Sequence, residues 1–198
     1  MQSLIERLKP HVGEMIVYGL SILLLMTGTY WRNRIWNSEL ELWTDCLKKS
    51  PNKDRPHYNL GNVFLKQGRY QEATNQYKEA LRFNPSLAEA HNNLGNIFVN
   101  QSKFQEAIPH LNEALRINPN SAQAHSNLGY AFLNQGQYQE AIDEYSEALR
   151  INPNLGGAHY NLGNAYLMIG NRGLALKEYE ILKTMNSGLA NALYQKIK

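Results

Sequence analysis

The sequence predicts an all-α solenoid of stacked helical hairpins, preceded by a single transmembrane helix. Three observations carry this. The blocks PHYNLGNVF, AHNNLGNIF, AHSNLGYAF and AHYNLGNAY begin at Pro56, Ala90, Ala124 and Ala158, each 34 residues after the last. A second block follows the first three at the same period: YQEATNQYKEALRFNP, FQEAIPHLNEALRINP and YQEAIDEYSEALRINP. Upstream, residues 12–31 are apolar apart from Glu14. A period of this length means a solenoid, because one hairpin cannot bury its apolar face alone.

Taken in order, residues 1–11 are a flank containing Arg7 and Lys9. Residues 12–31 are expected to span a membrane, since twenty residues at ~1.5 Å each cover about 30 Å of hydrocarbon. Tyr30 and Trp31 suit the interface, and Arg32 and Arg34 follow. No small-x-small cleavage site follows the run, which argues against a removed signal peptide. The alternative is a helix buried in protein. The basic residues Arg32, Arg34, Lys48 and Lys49 outnumber Arg7 and Lys9, a weak bias towards repeats on the cytoplasmic side.

Residues 37–53 read as a half-repeat of second-helix type, with Trp43 at the aromatic position, Cys46 at a small one and Pro51 at the stop. Cys46 is expected to be a buried small hydrophobe, and a lone cysteine forms no internal disulfide. Four full units then occupy 54–87, 88–121, 122–155 and 156–189. Their first helices show Leu60/Phe64, Leu94/Phe98, Leu128/Phe132 and Leu162/Tyr166 at i, i+4. Gly68, Ser102, Gly136 and Gly170 mark the turns, and Asn-Pro pairs at 84–85, 118–119 and 152–153 end the second helices. Gly61, Ala73 and Ala80 are small where helices must approach closely. The last unit is degraded, with Arg172, Leu182 and Ser187 at the aromatic, alanine and proline positions. Residues 190–198 read as a short capping helix, with Leu189, Leu193 and Ile197 inward and Asn191, Gln195, Lys196 and Lys198 outward.

This pattern resembles the tetratricopeptide repeat (TPR) family over residues 54–189. The resemblance implies a right-handed superhelix whose first helices line a concave surface, and a protein-interaction role without catalysis. The junction TYWRNRIW…ELELWTDCLKKSPNKDRPHYNLGN is similar to that of transmembrane O-mannosyltransferase-like and bacterial polytopic membrane proteins with C-terminal repeats. That kinship implies a periplasmic or luminal repeat region, against the charge bias. It also implies an alternative function: the repeat-bearing fragment or subunit of a polytopic glycosyltransferase, presenting acceptor protein.

The leading expectation is a membrane-anchored scaffold holding an extended polypeptide or a partner subunit. Its candidate site is an asparagine ladder. Asn59, Asn93, Asn127 and Asn161 recur at one first-helix position; Asn62, Asn96 and Asn164 recur at another, where Tyr130 stands in the third unit. An amide offers a donor and an acceptor to peptide backbone of any sequence. Three extended residues span ~10 Å, matching one hairpin step. Tyr58 and Tyr160 would flank the ladder. The competing reading is purely structural, with the amides bonding neighbouring helices. Terminal-carboxylate capture in the family's manner lacks its cations, since Tyr58, Gln123 and Asn127 stand at the expected places.

The remaining composition narrows the classes. Residues 37–198 carry sixteen Lys/Arg against fifteen acids, leaving no basic face for nucleic acid. His57, His91, His125 and His159 recur one per hairpin, too far apart to share a metal, and are expected to pack between hairpins. His11 and His110 show no evident partner. Glu72, Glu106 and Glu140 favour helix N-termini. Asp143, Glu144 and Glu147 read as a solvated face. No phosphate loop or nucleophile–base pair stands out, so no enzyme activity, metal, cofactor or small-molecule substrate is expected.

Overall fold

The computed structural model describes residues 39–185 and 188–198, which form ten α-helices and no strand. The expected span at 12–31 lies outside the described residues, as does the 1–11 flank. Among the described residues no helix is long and apolar enough to cross a membrane. The chain divides into two units, one ending at Pro51 and the other beginning at Asn52.

The first unit contributes α1 (Glu39–Lys49), the expected half-repeat helix. It has acids in its first turn and Lys48 and Lys49 in its last, the arrangement the helix dipole favours. None of its residues is buried, and Cys46 is half-buried. This corrects the expectation of a buried thiol.

The second unit is a run of hairpins. First helices are α2 (Asp54–Lys66), α4 (Ala88–Asn100), α6 (Ala122–Asn134) and α8 (Gly156–Met168). Second helices are α3 (Tyr70–Phe83), α5 (Phe104–Ile117), α7 (Tyr138–Ile151) and α9 (Arg172–Thr184). Each first helix packs on its own second helix, each of α3, α5 and α7 packs on the next first helix, and α4, α6 and α8 touch in sequence.

The punctuation works as the sequence suggests. Gly68, Gly136 and Gly170 turn each hairpin at φ +72°, +78° and +77°, a left-handed conformation that costs glycine no Cβ clash. Ser102 takes the same turn at φ 59°. Asn84, Asn118 and Asn152 leave helical geometry because proline follows. Their Oδ1 atoms accept from the backbone N–H of Ser86, Asn120 and Asn154 at 3.2, 3.3 and 3.1 Å, closing the corner.

Within each hairpin the helices meet at small residues. Ala73, Ala107, Ala141 and Ala175 are fully buried. A Cβ on Gly61 would lie 2.7 Å from the Tyr77 ring, and one on Gly95 would lie 2.5 Å from Leu111 Cγ. Apolar burial of this kind stabilises by about 25 cal/mol per Å².

The cap, α10 (Gly188–Ile197), begins two residues before the expected position and packs on α8 and α9. Its buried stripe is Ala190, Leu193 and Ile197, while Leu189 is exposed, which corrects the expected inward set. Leu193 lies over Gly163, where Tyr77 and Leu111 lie over their own glycines. Tyr179, at the second-helix position of Tyr77, instead stacks on Tyr194 with centroids 5.0 Å apart.

Candidate binding face

The recurring amides sit on the first helices, and the structure divides them into two sets. One set is occupied internally. Tyr77 is fully buried, and its hydroxyl donates to Asn62 Oδ1 at 2.7 Å. Asn93 Nδ2, one hairpin on, donates to the same Asn62 Oδ1 at 3.1 Å and to the Tyr77 hydroxyl at 3.2 Å. Burial pushes the Tyr77 phenol well above its ordinary pKa. Asn127 is buried; its Nδ2 donates to Asn92 Oδ1 at 3.2 Å, and its Oδ1 accepts from Gln123 Nε2 at 3.1 Å. Asn62, Asn93 and Asn127 are thus hydrogen-bonded within the stack, while Asn93 and Asn127 also reach cavity walls.

The other amides open onto cavities, which Asn93 and Asn127 also line. A cavity of about 290 Å³ is lined by Asn96, Asn127, Tyr130 and Asn161, together with Val99, Asn100, Ser102 and Ser126. A larger one of about 520 Å³ has Tyr130, Tyr160, Asn161 and Asn164 in its wall, closed by Leu133, Leu167 and Met168. Tyr130 and Asn161 are common to both. Tyr58 and Asn93 line a third, smaller one of about 130 Å³. Asn59 is half-buried and lines none of these. Asn96 Oδ1 accepts from Asn100 Nδ2 at 3.3 Å, and Asn164 Oδ1 accepts from Lys196 Nζ at 2.9 Å.

The third unit departs from the first at the floor of this face. Tyr145 matches Tyr77 and is equally buried, but Tyr130 replaces the asparagine that would accept its proton. Asn161 pulls weakly on the Tyr145 hydroxyl, yet no group among the described residues reaches hydrogen-bond geometry with it. Burial raises the Tyr145 pKa well above that of a free phenol.

The histidine column has its own chemistry. His57 Nδ1 meets Gln76 Oε1 at 2.8 Å, and His91 Nδ1 meets His110 Nδ1 at 3.1 Å. His125 and His159 Nδ1 meet Glu144 and Glu178 Oε2, both at 2.6 Å. The Nε2 atoms of His91, His125 and His159 reach the carbonyls of Pro85, Pro119 and Pro153 at 3.1, 3.0 and 3.0 Å. His91, His125 and His159 thus each fasten their own second helix to the preceding corner. His110 has a partner after all, and Glu144 is not merely solvated; both expectations are corrected. The signal was the constant separation of 19 residues from each histidine to its partner. Among the described residues, no group of three or more metal-ligating side chains comes together.

Sequence reading missed Asn92 and Gln123, which hold Asn127, and the lining residues Tyr138, Met168 and Lys196. Lys196 was assigned to the outward face of its helix, which is correct for α10 alone and ignores α8 beside it.

Family models for the TPR repeat match residues 61–102, and for the tetratricopeptide repeat residues 95–155 and 132–196. A crystal structure of MamA is 26% identical with a TM-score of 0.69, covering 74% of this chain and 86% of that one. YrrB, a TPR protein with an unusual peptide-binding site, is 24% identical at a TM-score of 0.69 over 86% of this chain and 87% of its own, a likeness of fold. A protein O-mannosyl-transferase of Caenorhabditis elegans is 38% identical over 60 residues, 30% of this chain. The match spans only 9% of that protein's length.

Proposed function

This chain belongs to the tetratricopeptide-repeat family through residues 61–196, and from that premise we propose that it is a non-catalytic interaction module holding an extended polypeptide on its first-helix face. The observation that carries the reading is the pair of adjoining cavities sharing Tyr130 and Asn161. Amides from the second, third and fourth hairpins (Asn96, Asn127, Asn161 and Asn164) line them, and flat aromatic rings supply contact area. An amide pairs with the backbone of any sequence, so the face recognises an extended chain before it recognises a particular one. YrrB, a stack of the same fold that carries a peptide-binding site, supports the class of ligand.

The test is a fluorescence-anisotropy titration of dye-labelled neutral nonapeptides of unrelated sequence. One amide–backbone bond is worth a net ~0.5–1.5 kcal/mol, so Asn161→Ala should weaken every peptide by roughly two- to tenfold. Equal affinity for folded Asn161→Ala and wild type would overturn the reading.

We also propose that residues 12–31 anchor the module in a membrane. Carbonate-washed membranes should retain the full chain in the pellet and release a chain beginning at Asn37. Equal release of the two would refute the anchor. The O-mannosyl-transferase match favours a second reading, in which this chain is the repeat part of a polytopic glycosyltransferase that presents acceptor protein. It requires further apolar spans upstream in the natural reading frame, and a frame without them excludes it.

A further inference from the structure

Resting on the groove reading, we infer that the C-terminal end of the first-helix face is an anchor pocket for a carboxylate flanked by an apolar side chain, with Lys196 as its cation. The position of Lys196 comes from the repeat register. In the first step of the ladder, Asn93 Nδ2 on α4 reaches back to Asn62 Oδ1 on the preceding first helix at 3.1 Å. At the last step, Lys196 Nζ on α10 reaches back to Asn164 Oδ1 on α8 at 2.9 Å. Asn164 is the counterpart of Asn62 three units later. The capping helix thus makes at Asn164 the bond that α4 makes at Asn62, with an ammonium in place of an amide.

Among the described residues, no acidic side chain lines the cavity beside that ammonium. Lys196 is the only charged one of them lining the 520 Å³ cavity, and neither α6 nor α8 contains a charged residue. Its partners are neutral: the Asn164 amide and Tyr160, whose ring centroid lies 5.2 Å from Nζ. Hydrogen bonding from Lys196 holds the Tyr160 hydroxyl below the ordinary phenol range. The same cavity is lined by the apolar side chains of Leu133, Leu167 and Met168, the last 57% exposed. A cation and exposed apolar surface in one cavity complement a carboxylate next to a leucine-like side chain. The carboxylate can belong to a chain terminus or to an internal Asp or Glu.

Three dye-labelled nonapeptides separate these sources, each titrated by anisotropy against the full chain in non-ionic detergent. One carries an internal Leu-Glu pair and an amidated C-terminus. The second has Gln for Glu and ends in Leu with a free carboxylate. The third has Gln and an amidated end. At least one carboxylate peptide should bind about three- to tenfold more tightly than the neutral one, and the tighter of the two identifies the source. The preference should vanish in Lys196→Met and shrink with added salt in the wild type, a readout that needs no variant. A wild type that binds all three alike, or a Lys196→Met protein that keeps the preference, overturns the anchor and leaves the groove reading intact. If none of the three binds, the groove reading fails and the anchor falls with it.

Discussion

Tyr77 and Tyr145 occupy the same repeat position and are both fully buried, yet their hydroxyls meet opposite fates. Tyr77 donates to Asn62 and accepts from Asn93; Tyr145 has no partner of hydrogen-bond geometry among the described residues. A satisfied buried hydroxyl contributes ~0.5–1.5 kcal/mol, whereas an orphaned one costs about 1–3 kcal/mol. Tyr77→Phe should therefore lower thermal stability, and Tyr145→Phe should leave it unchanged or raise it, as read by melting the helical circular-dichroism signal. Equal losses in the two variants would show that the Tyr145 hydroxyl is bonded in solution. The difference is written 15 residues upstream, where Tyr130 replaces the asparagine that Tyr77 finds at Asn62.

The helices themselves were legible because their signals are local: a 34-residue period, glycine at the turn and Asn-Pro at the corner. The fate of the amides was not, because it depends on residues one hairpin away. Asn93 is held by a tyrosine of the preceding second helix, while Asn127, one unit on, has Leu111 at that place and turns to Asn92 and Gln123. Asn62 thus became framework, while Asn96 and Asn164 at the same repeat position line cavities. The cap was misread for a related reason. Periodicity within ten residues assigned Leu189 inward and Lys196 to solvent, but α8 and α9 together select Ala190, Leu193 and Ile197 and bring Lys196 to Asn164.

At the scale of the whole molecule, His110, the partner of His91, ties local protonation to the stability of the stack. Burial, then the charges of His91 and Lys78, hold His110 below the ordinary imidazole pKa of 6.5. The unfolded chain binds that proton more readily than the fold does, so this contribution is fully present above 6.5 and is lost as pH falls below it. Melting temperature should drop between about pH 7.5 and 5.5, and His110→Gln, which places there the residue found at Gln76, should reduce the drop. An unchanged pH profile in that variant would rule out His110 as the source. A second consequence follows from the bonds that straddle unit boundaries. Asn93 reaches into the unit before it, His91, His125 and His159 each grip the corner behind them, and Leu193 of the cap lies over Gly163. The four repeats look interchangeable when aligned, but they are not movable parts. Exchanging the second for the third would put Tyr58 where Asn127 now finds Asn92, and grafting another unit after Thr184 would have to displace α10. Their order along the chain is itself heritable information, kept by the seams rather than by the repeats.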